Sequence, residues 1–225
     1  VFTSIQQSVF SAVITSSYGS NNKIIDNTID GKSDGIFHEK SYENVAADDG
    51  IVIGDENGDV IQDNIISNVW DCGIETLGTI SNTEFTGYTI TNAGLCGIGG
   101  WHYNSWKNNV VDSNIVDNAP MMFYFFRNYG LRPANSDDLK RMPQEDTVYF
   151  QDNQFSDNRL INAREASNFQ HSTSIAITPV SATTPTAGSG SVPGERDVTA
   201  TDLILKNNKF TNNNFSIQYP SQWSQ

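Results

Sequence analysis

The chain has 225 residues, with 13 lysines and arginines against 26 aspartates and glutamates and a formal net charge of −13. That balance lacks the basic footprint of a nucleic-acid binder and argues against anionic lipid. No apolar run approaches the ~18 residues needed to cross a bilayer, and a hydrophobic share of 37% is low for a thick globular core.

Residues 1–20 carry Ile5, Val9, Phe10 and Ala12-Val13-Ile14 and read as a capping segment, helical or extended. The chain begins at Val1 and shows no signal peptide, which reads as a mature product whose targeting segment was removed. With the acidic charge, this points to an extracellular or cell-surface location. From Asn22 a unit appears, Ile24 to Asp30 and then Gly35-Ile36-Phe37, with a loop expected over 38–48.

From Gly50 the same motif recurs. Gly50-Ile51, Gly73-Ile74 and Gly97-Ile98 each open a short strand, and each unit ends on an asparagine, Asn68, Asn92 or Asn118. Ile51 to Ile74 is 23 residues (74 − 51), and Ile74 to Ile98 is 24 (98 − 74). A fixed period in this range means stacked supersecondary units, none of which buries its apolar side alone. The isoleucines face in and the residues between them face out, because strand side chains alternate. The glycines suit a corner too tight for a Cβ, and the asparagines suit corners where amides bond up a ladder.

Next comes Met121-Met122-Phe123-Tyr124-Phe125-Phe126, apolar on both faces. The outward rings need a cover or form a binding surface. Residues 127–146 break the repeat and supply that cover, with 136–140 as a helical turn. The repeat resumes at Val148–Asn158, with Leu160–Ala163 expected as a Gly-Ile-type strand and Ile175-Ala176-Ile177 as another. Residues 181–196, rich in Ser, Thr, Pro and Gly, read as a flexible loop. Leu203–Asn212 is the last clear unit, and Trp223 reads as a plug for the C-terminal end.

The expected fold is all-β: a single-stranded right-handed parallel β-helix (β-solenoid), one domain over 1–225, with inserted loops at 127–146 and 181–196. The Gly-Ile strands at 35, 50, 73 and 97 and the asparagine-flanked corners at 64–68, 114–118, 153–158 and 208–212 resemble the repeat of the pectate-lyase-like superfamily. The resemblance covers nearly the whole chain. It implies the fold, an extracellular setting, and work on polysaccharide as lyase, hydrolase or binder, but no stretch matches the catalytic signature of one enzyme family. Fold alone does not transfer activity.

In enzymes of this resemblance the substrate lies along the outward face of the Gly-Ile strands. Here that column is expected to be Phe37, Val52, Glu75, Gly99, Phe123 and Asn162, with Glu75 its one carboxylate. Glu75, His102 and Arg127 are the catalytic candidates, since a carboxylate, an imidazole and a guanidinium can do acid–base work on a sugar. Trp101, Tyr103, Trp106 and Phe123 are the glycan-binding candidates, and His38 and Glu39 are expected nearby. The alternative is a solvent-exposed glutamate beside a packed loop; His171 looks isolated.

Asp55, Asn57 and Asp59 alternate oxygen side chains as a calcium loop does, yet Val60 and Ile66 stand where an EF-hand needs Gly and Glu. A solvated acidic turn fits as well, so Ca2+ is at most an optional ligand. Cys72 and Cys96, 24 apart (96 − 72), occupy one place on neighbouring units, either as a disulfide or as buried free thiols. Two functions remain open: a glycan-binding or glycan-cleaving β-helix, and a structural or adhesive solenoid that self-associates.

Overall fold

The computed structural model of the protein describes residues 2–3, 12–34, 47–127, 130–132, 147–164, 175–179, 196–198 and 202–217. All regular structure among these residues is strand. It forms three parallel sheets of eight, six and seven strands, here the first, second and third, and one two-stranded antiparallel ribbon. Phe37, His38, Glu39, His171, Trp223 and the turn at 136–140 lie outside the described residues.

The strands follow a cyclic order. The second circuit places Asp49–Asn57 in the first sheet, Val60–Gln62 in the second and Ile65–Val69 in the third. The third circuit repeats this with Cys72–Ser81, Glu84–Thr86 and Thr89–Ala93, and the fourth with Cys96–Lys107, Val110–Asp112 and Ile115–Asp117. Each strand pairs with its equivalent one circuit on: Ile51, Ile74 and Ile98 are partners, as are Ile66, Ile90 and Val116. This is the topology a β-solenoid requires. Among the described residues, the six strands of the second sheet mark six circuits.

The first circuit starts earlier than the sequence suggests. Ala12–Ser17, expected in a cap, is a strand of the first sheet, with Ile14 paired to Ile51. Phe2–Thr3 pairs with Thr28–Asp30 in the third sheet. A six-residue strand with irregular polarity gives a weak period-2 signal, so this segment did not announce itself.

A three-residue strand with its middle side chain inward buries one group per circuit. In the second sheet Ile61, Phe85, Val111 and Phe155 hold that position, and in the third Ile29, Ile66, Ile90, Val116 and Leu160; all are buried. The core turns aromatic toward the C-terminal circuits. Trp106 stacks on Phe85 at 5.0 Å and meets the edge of Phe123 at 5.0 Å. The glycine before each isoleucine answers to packing across the coil: a Cβ on Gly73 would lie 2.4 Å from Ile90 Cδ1.

The corners obey a second rule. A residue in the left-handed region, such as Asp63 (φ 53°), Ser113 (φ 57°) or Asp157 (φ 54°), is followed by an inward amide, here Asn64, Asn114 or Asn158. These amides are buried and bonded up the coil. Asn114 Oδ1 accepts from the Tyr88 backbone N–H at 3.0 Å, while its Nδ2 donates to the Phe85 carbonyl at 2.8 Å and to Asn158 Oδ1 at 2.9 Å. The corner between the first and second sheets has its own column, in which Asn109 Oδ1 accepts from Thr83 N–H at 2.9 Å and Asn153 Oδ1 from Asn109 N–H at 3.0 Å. The third circuit is the exception, because Thr83 and Tyr88 stand where neighbouring circuits carry amide or carboxylate acceptors. A third, outer column is the one expected from sequence: Asn92 Nδ2 donates to Asn68 Oδ1 at 2.9 Å and Asn118 Nδ2 to Asn92 Oδ1 at 3.3 Å.

The buried and outer columns should separate in a mutational test. Asn114→Ala strands a buried N–H and a buried carbonyl and should cost about 2–4 kcal/mol. Asn118→Gly, at an exposed corner whose φ of 55° glycine also adopts, should cost less than about 1 kcal/mol. Urea midpoints measure both, and equal costs would contradict this account of the corners.

Candidate functional site

The back half of the first sheet drifts in register along one line. Gly54 pairs with Leu77 and Glu56 with Ile80, so the third circuit holds one extra residue there ((80 − 77) − (56 − 54) = 1). Trp101 pairs with Leu77 and Ser105 with Thr79, so the fourth holds two ((105 − 101) − (79 − 77) = 2). In the fifth circuit the strand is interrupted outright. Met121–Arg127 continues the front of the sheet, and Thr147–Gln151 resumes behind it with Phe150 paired to Trp106. The sixth circuit repeats this with Ile175–Pro179 and Asp202–Lys206. The two interruptions meet in the antiparallel ribbon of Gly130–Arg132 with Arg196–Val198. Bulges and insertions thus open along one seam, and in repeat folds such a face is often the binding face.

Three of the expected residues lie at the bulge of this seam. Trp101, His102 and Tyr103 occupy it on Cys96–Lys107, and Arg127 ends the strand before the first interruption. The side chains of these four lie outside the described residues.

Phe123 and Trp106 do not face a glycan. Phe123 pairs with Ile98 and Ile175 and is buried, whereas Tyr124, paired with Gly99 and Ala176, holds the outward place. Aligning Met122 with Ile98 is a slip of one residue, and one residue exchanges the faces of a strand. Trp106 was expected on a glycan-binding surface. Instead the strand resumes after the bulge and carries the indole into the core, with Nε1 donating to Thr76 Oγ1 at 3.0 Å. Asn162 belongs to Arg159–Ala163 in the third sheet, not to the outward column of the first.

The oxygens at Asp55, Asn57 and Asp59 serve separate contacts. Asp55 Oδ1 accepts from Thr79 N–H at 2.9 Å, and Asn57 Oδ1 from Ser81 Oγ at 2.9 Å. Asp59 turns inward, and its Oδ1 accepts from Asn22 N–H at 2.8 Å. The expected solvated acidic turn is therefore a set of circuit-to-circuit acceptors, with Glu56 beside it buried under Ser16 Oγ at 2.7 Å.

Glu75 is where the sequence placed it, outward between Val52 and Gly99, but it is half-buried and has company. It shares a side-chain hydrogen bond with Asp49. Asp49 Oδ1 accepts from the Cys72 N–H at 3.0 Å, and the Cys72 thiol donates to Asp71 Oδ1 at 3.2 Å. Asp71 N–H donates to the Asp48 carbonyl at 2.8 Å, so Asp48 and Asp71 hold one column. Cys96, paired directly with Cys72, brings its Sγ to 2.7 Å from the Cys72 Sγ. Leu95, Met121 and Tyr124 pack with the two cysteines in a small cluster of their own.

The charges acting on these carboxyls are one another's. Burial pushes Asp49 well above the usual carboxylate range, helped by Glu75, Asp71 and Asp48. Burial does the same to Asp71, helped by Asp48 and Glu75. Glu75 is pushed up to about 7, chiefly by burial, with its bond to Asp49 pulling the other way. Asp49, Asp71 and Cys72 each present a ligand-type atom within 4.8 Å of the others. All three hold protons that a cation would have to displace, because burial raises the proton affinity of each.

The sequence showed Glu75 but not its partners. The available signal was Asp48 and Asp71, each three residues before the isoleucine of its circuit (51 − 48 and 74 − 71), which stacks them. Comparison with protein-family models, with curated proteins and with solved structures finds no match. No helix among the described residues is long and apolar enough to cross a membrane.

These proton affinities fix the sign of a pH effect. Between the ordinary value near 4.5 and about 7, Glu75 stays protonated in the folded chain and ionises in the unfolded one. Its contribution is fully present below that window and is lost as pH rises through it. Asp49 and Asp71 act in the same direction. Melting temperature should therefore be higher near pH 5 than near pH 8, and Glu75→Gln should flatten the profile by at most about 3 kcal/mol. Calorimetry across that range checks it, and a profile that climbs toward neutrality contradicts it.

Proposed function

We propose that the protein is an extracellular or surface β-helix of the pectate-lyase-like kind that processes polysaccharide along the outward face of its first sheet, with Glu75 as general acid. One observation carries the reading: Glu75 and Asp49 form a hydrogen-bonded carboxyl pair on the outward face that bears the seam, with the Glu75 proton held to about 7. Two carboxyls that share a proton and titrate apart are the means by which acid chemistry runs near neutral pH. Glu75 would protonate the departing glycosidic oxygen as the C–O bond breaks, water would add to the anomeric carbon and its released proton would restore the Glu75 carboxyl, while Asp49 holds that carboxyl in place. Trp101 and Tyr103 at the bulge would stack on sugar rings, and His102 and Arg127 would bond their hydroxyls. The net charge of −13 repels a polyuronate, so a neutral glycan and hydrolysis are favoured over uronate elimination. The coil would be right-handed, as parallel strand–crossover–strand connections nearly always are.

Glu75→Gln should lower turnover on the cleaved glycan by about 100-fold or more while leaving its binding in place. The rate of the unmodified chain should fall as pH rises past about 7. A panel of neutral and uronate polysaccharides provides the assay. Wild-type turnover by Glu75→Gln, or cleavage of uronates alone, would sink the reading.

A second reading has its own observation. In the sixth circuit the core-side ring of Phe210 is 47% exposed although it stacks on Phe155 at 5.0 Å, and Leu205 is 58% exposed. An apolar end of this kind suits a second copy of the chain, stacked end to end in a structural or adhesive fibre. Light scattering should then show growth with concentration that Phe210→Glu abolishes. A particle that stays monomeric at high concentration rules the fibre out.

A further inference from the structure

We propose that Cys72 and Cys96 close a reversible disulfide between the third and fourth circuits, a covalent site whose oxidant is a low-molecular-weight disulfide. The two residues are direct partners in the parallel pairing of Cys72–Ser81 with Cys96–Lys107. Neighbouring strands lie ~4.8 Å apart, inside the Cα separation of roughly 4.4–6.8 Å that a disulfide accepts. Both residues are free cysteines here, with their sulfurs in contact at 2.7 Å. They sit apart from the aromatic core in a cluster with Leu95, Met121 and Tyr124, so bond closure leaves the main packing alone.

The step balances simply. One thiol loses its proton and attacks the small disulfide, releasing one small thiol and leaving a mixed disulfide. The second thiolate attacks the protein sulfur of that intermediate, forming the Cys72–Cys96 bond and releasing the second small thiol. Two protein thiols are oxidised and one small disulfide is reduced to two thiols. Both thiols are fully buried, and burial holds their protons above the usual thiol range. Thiolate is therefore scarce at neutrality, and closure should quicken about tenfold per pH unit between about pH 7 and pH 9.

The bond also removes a proton donor from the acid cluster, because the thiol of Cys72 donates to Asp71 Oδ1 at 3.2 Å. That coupling to activity rests on the reading of Glu75 as the acid; the bond itself does not.

The test uses the whole chain, incubated with reduced or oxidised glutathione, quenched in acid, denatured, and analysed by thiol titration and intact mass. Two thiols are expected under reduction. None are expected after oxidation, with a mass lower by two hydrogens, no glutathione adduct, and a melting temperature raised by about 5 °C or more. The thiols of the Glu75→Gln chain should behave identically whether or not the glycan reading survives. Cys96→Ser should keep its fold by circular dichroism and lose the oxidation-dependent rise in melting temperature. Two persistent thiols, a stable glutathione adduct, or zinc retained through gel filtration by the reduced chain would each overturn the proposal.

Discussion

The structure depends on satisfying the backbone at its corners. Each circuit turns away from its sheet at residues that leave strand geometry, and just past these corners Asn64, Asn109, Asn114, Asn153 and Asn158 are buried. A buried N–H or carbonyl without a partner costs on the order of 1–3 kcal/mol. The inward asparagines meet that demand circuit by circuit: the carbonyl end accepts from a corner N–H below, and the NH2 end donates to a strand carbonyl. Hydrophobic stacking draws the circuits together, and the amides fix where each one bends.

The outside of the first sheet is governed by the same stacking. Whatever side chain occupies one column is placed ~4.8 Å from its counterpart in the next circuit. Isoleucines stacked this way make a core. Carboxyls stacked this way, as at Asp48 with Asp71, with Asp49 and Glu75 beside them, make a cluster in which burial, and then the neighbouring carboxyls, raise proton affinity. Chemistry on such a surface is set by column and circuit. The progressive bulging of the seam beside it supplies irregular chain where a ligand needs shape.

Much of this was legible in the sequence. The 23- and 24-residue spacing of Ile51, Ile74 and Ile98 gave the pairing of the first sheet, and Asn68, Asn92 and Asn118 gave the outer column. Glu75 was visible because it is a charge between two inward positions. The two buried amide columns were harder to see, because each is marked only by a left-handed residue and an asparagine, a pair that also looks like a surface turn. Phe123 was misplaced because apolar side chains on every position of Met121–Phe126 erase the period-2 signal, and Trp106 because nothing in Trp101–Asn104 shows that the strand resumes beyond the bulge. No local pattern reports where a strand resumes after a bulge.

The third circuit departs from the amide rule at both corners, with Thr83 and Tyr88 where acceptors stand elsewhere. The inner columns therefore run in two separate lengths, one below this circuit and one from it upward. In a molecule whose parts touch only their nearest neighbours, the junction with the fewest cross-ties yields first. The Asp49–Glu75 contact spans that same junction. The joint between the leading circuits and the remainder is thus fastened partly by a shared proton, and acidity sets how firmly the two lengths of coil are clasped.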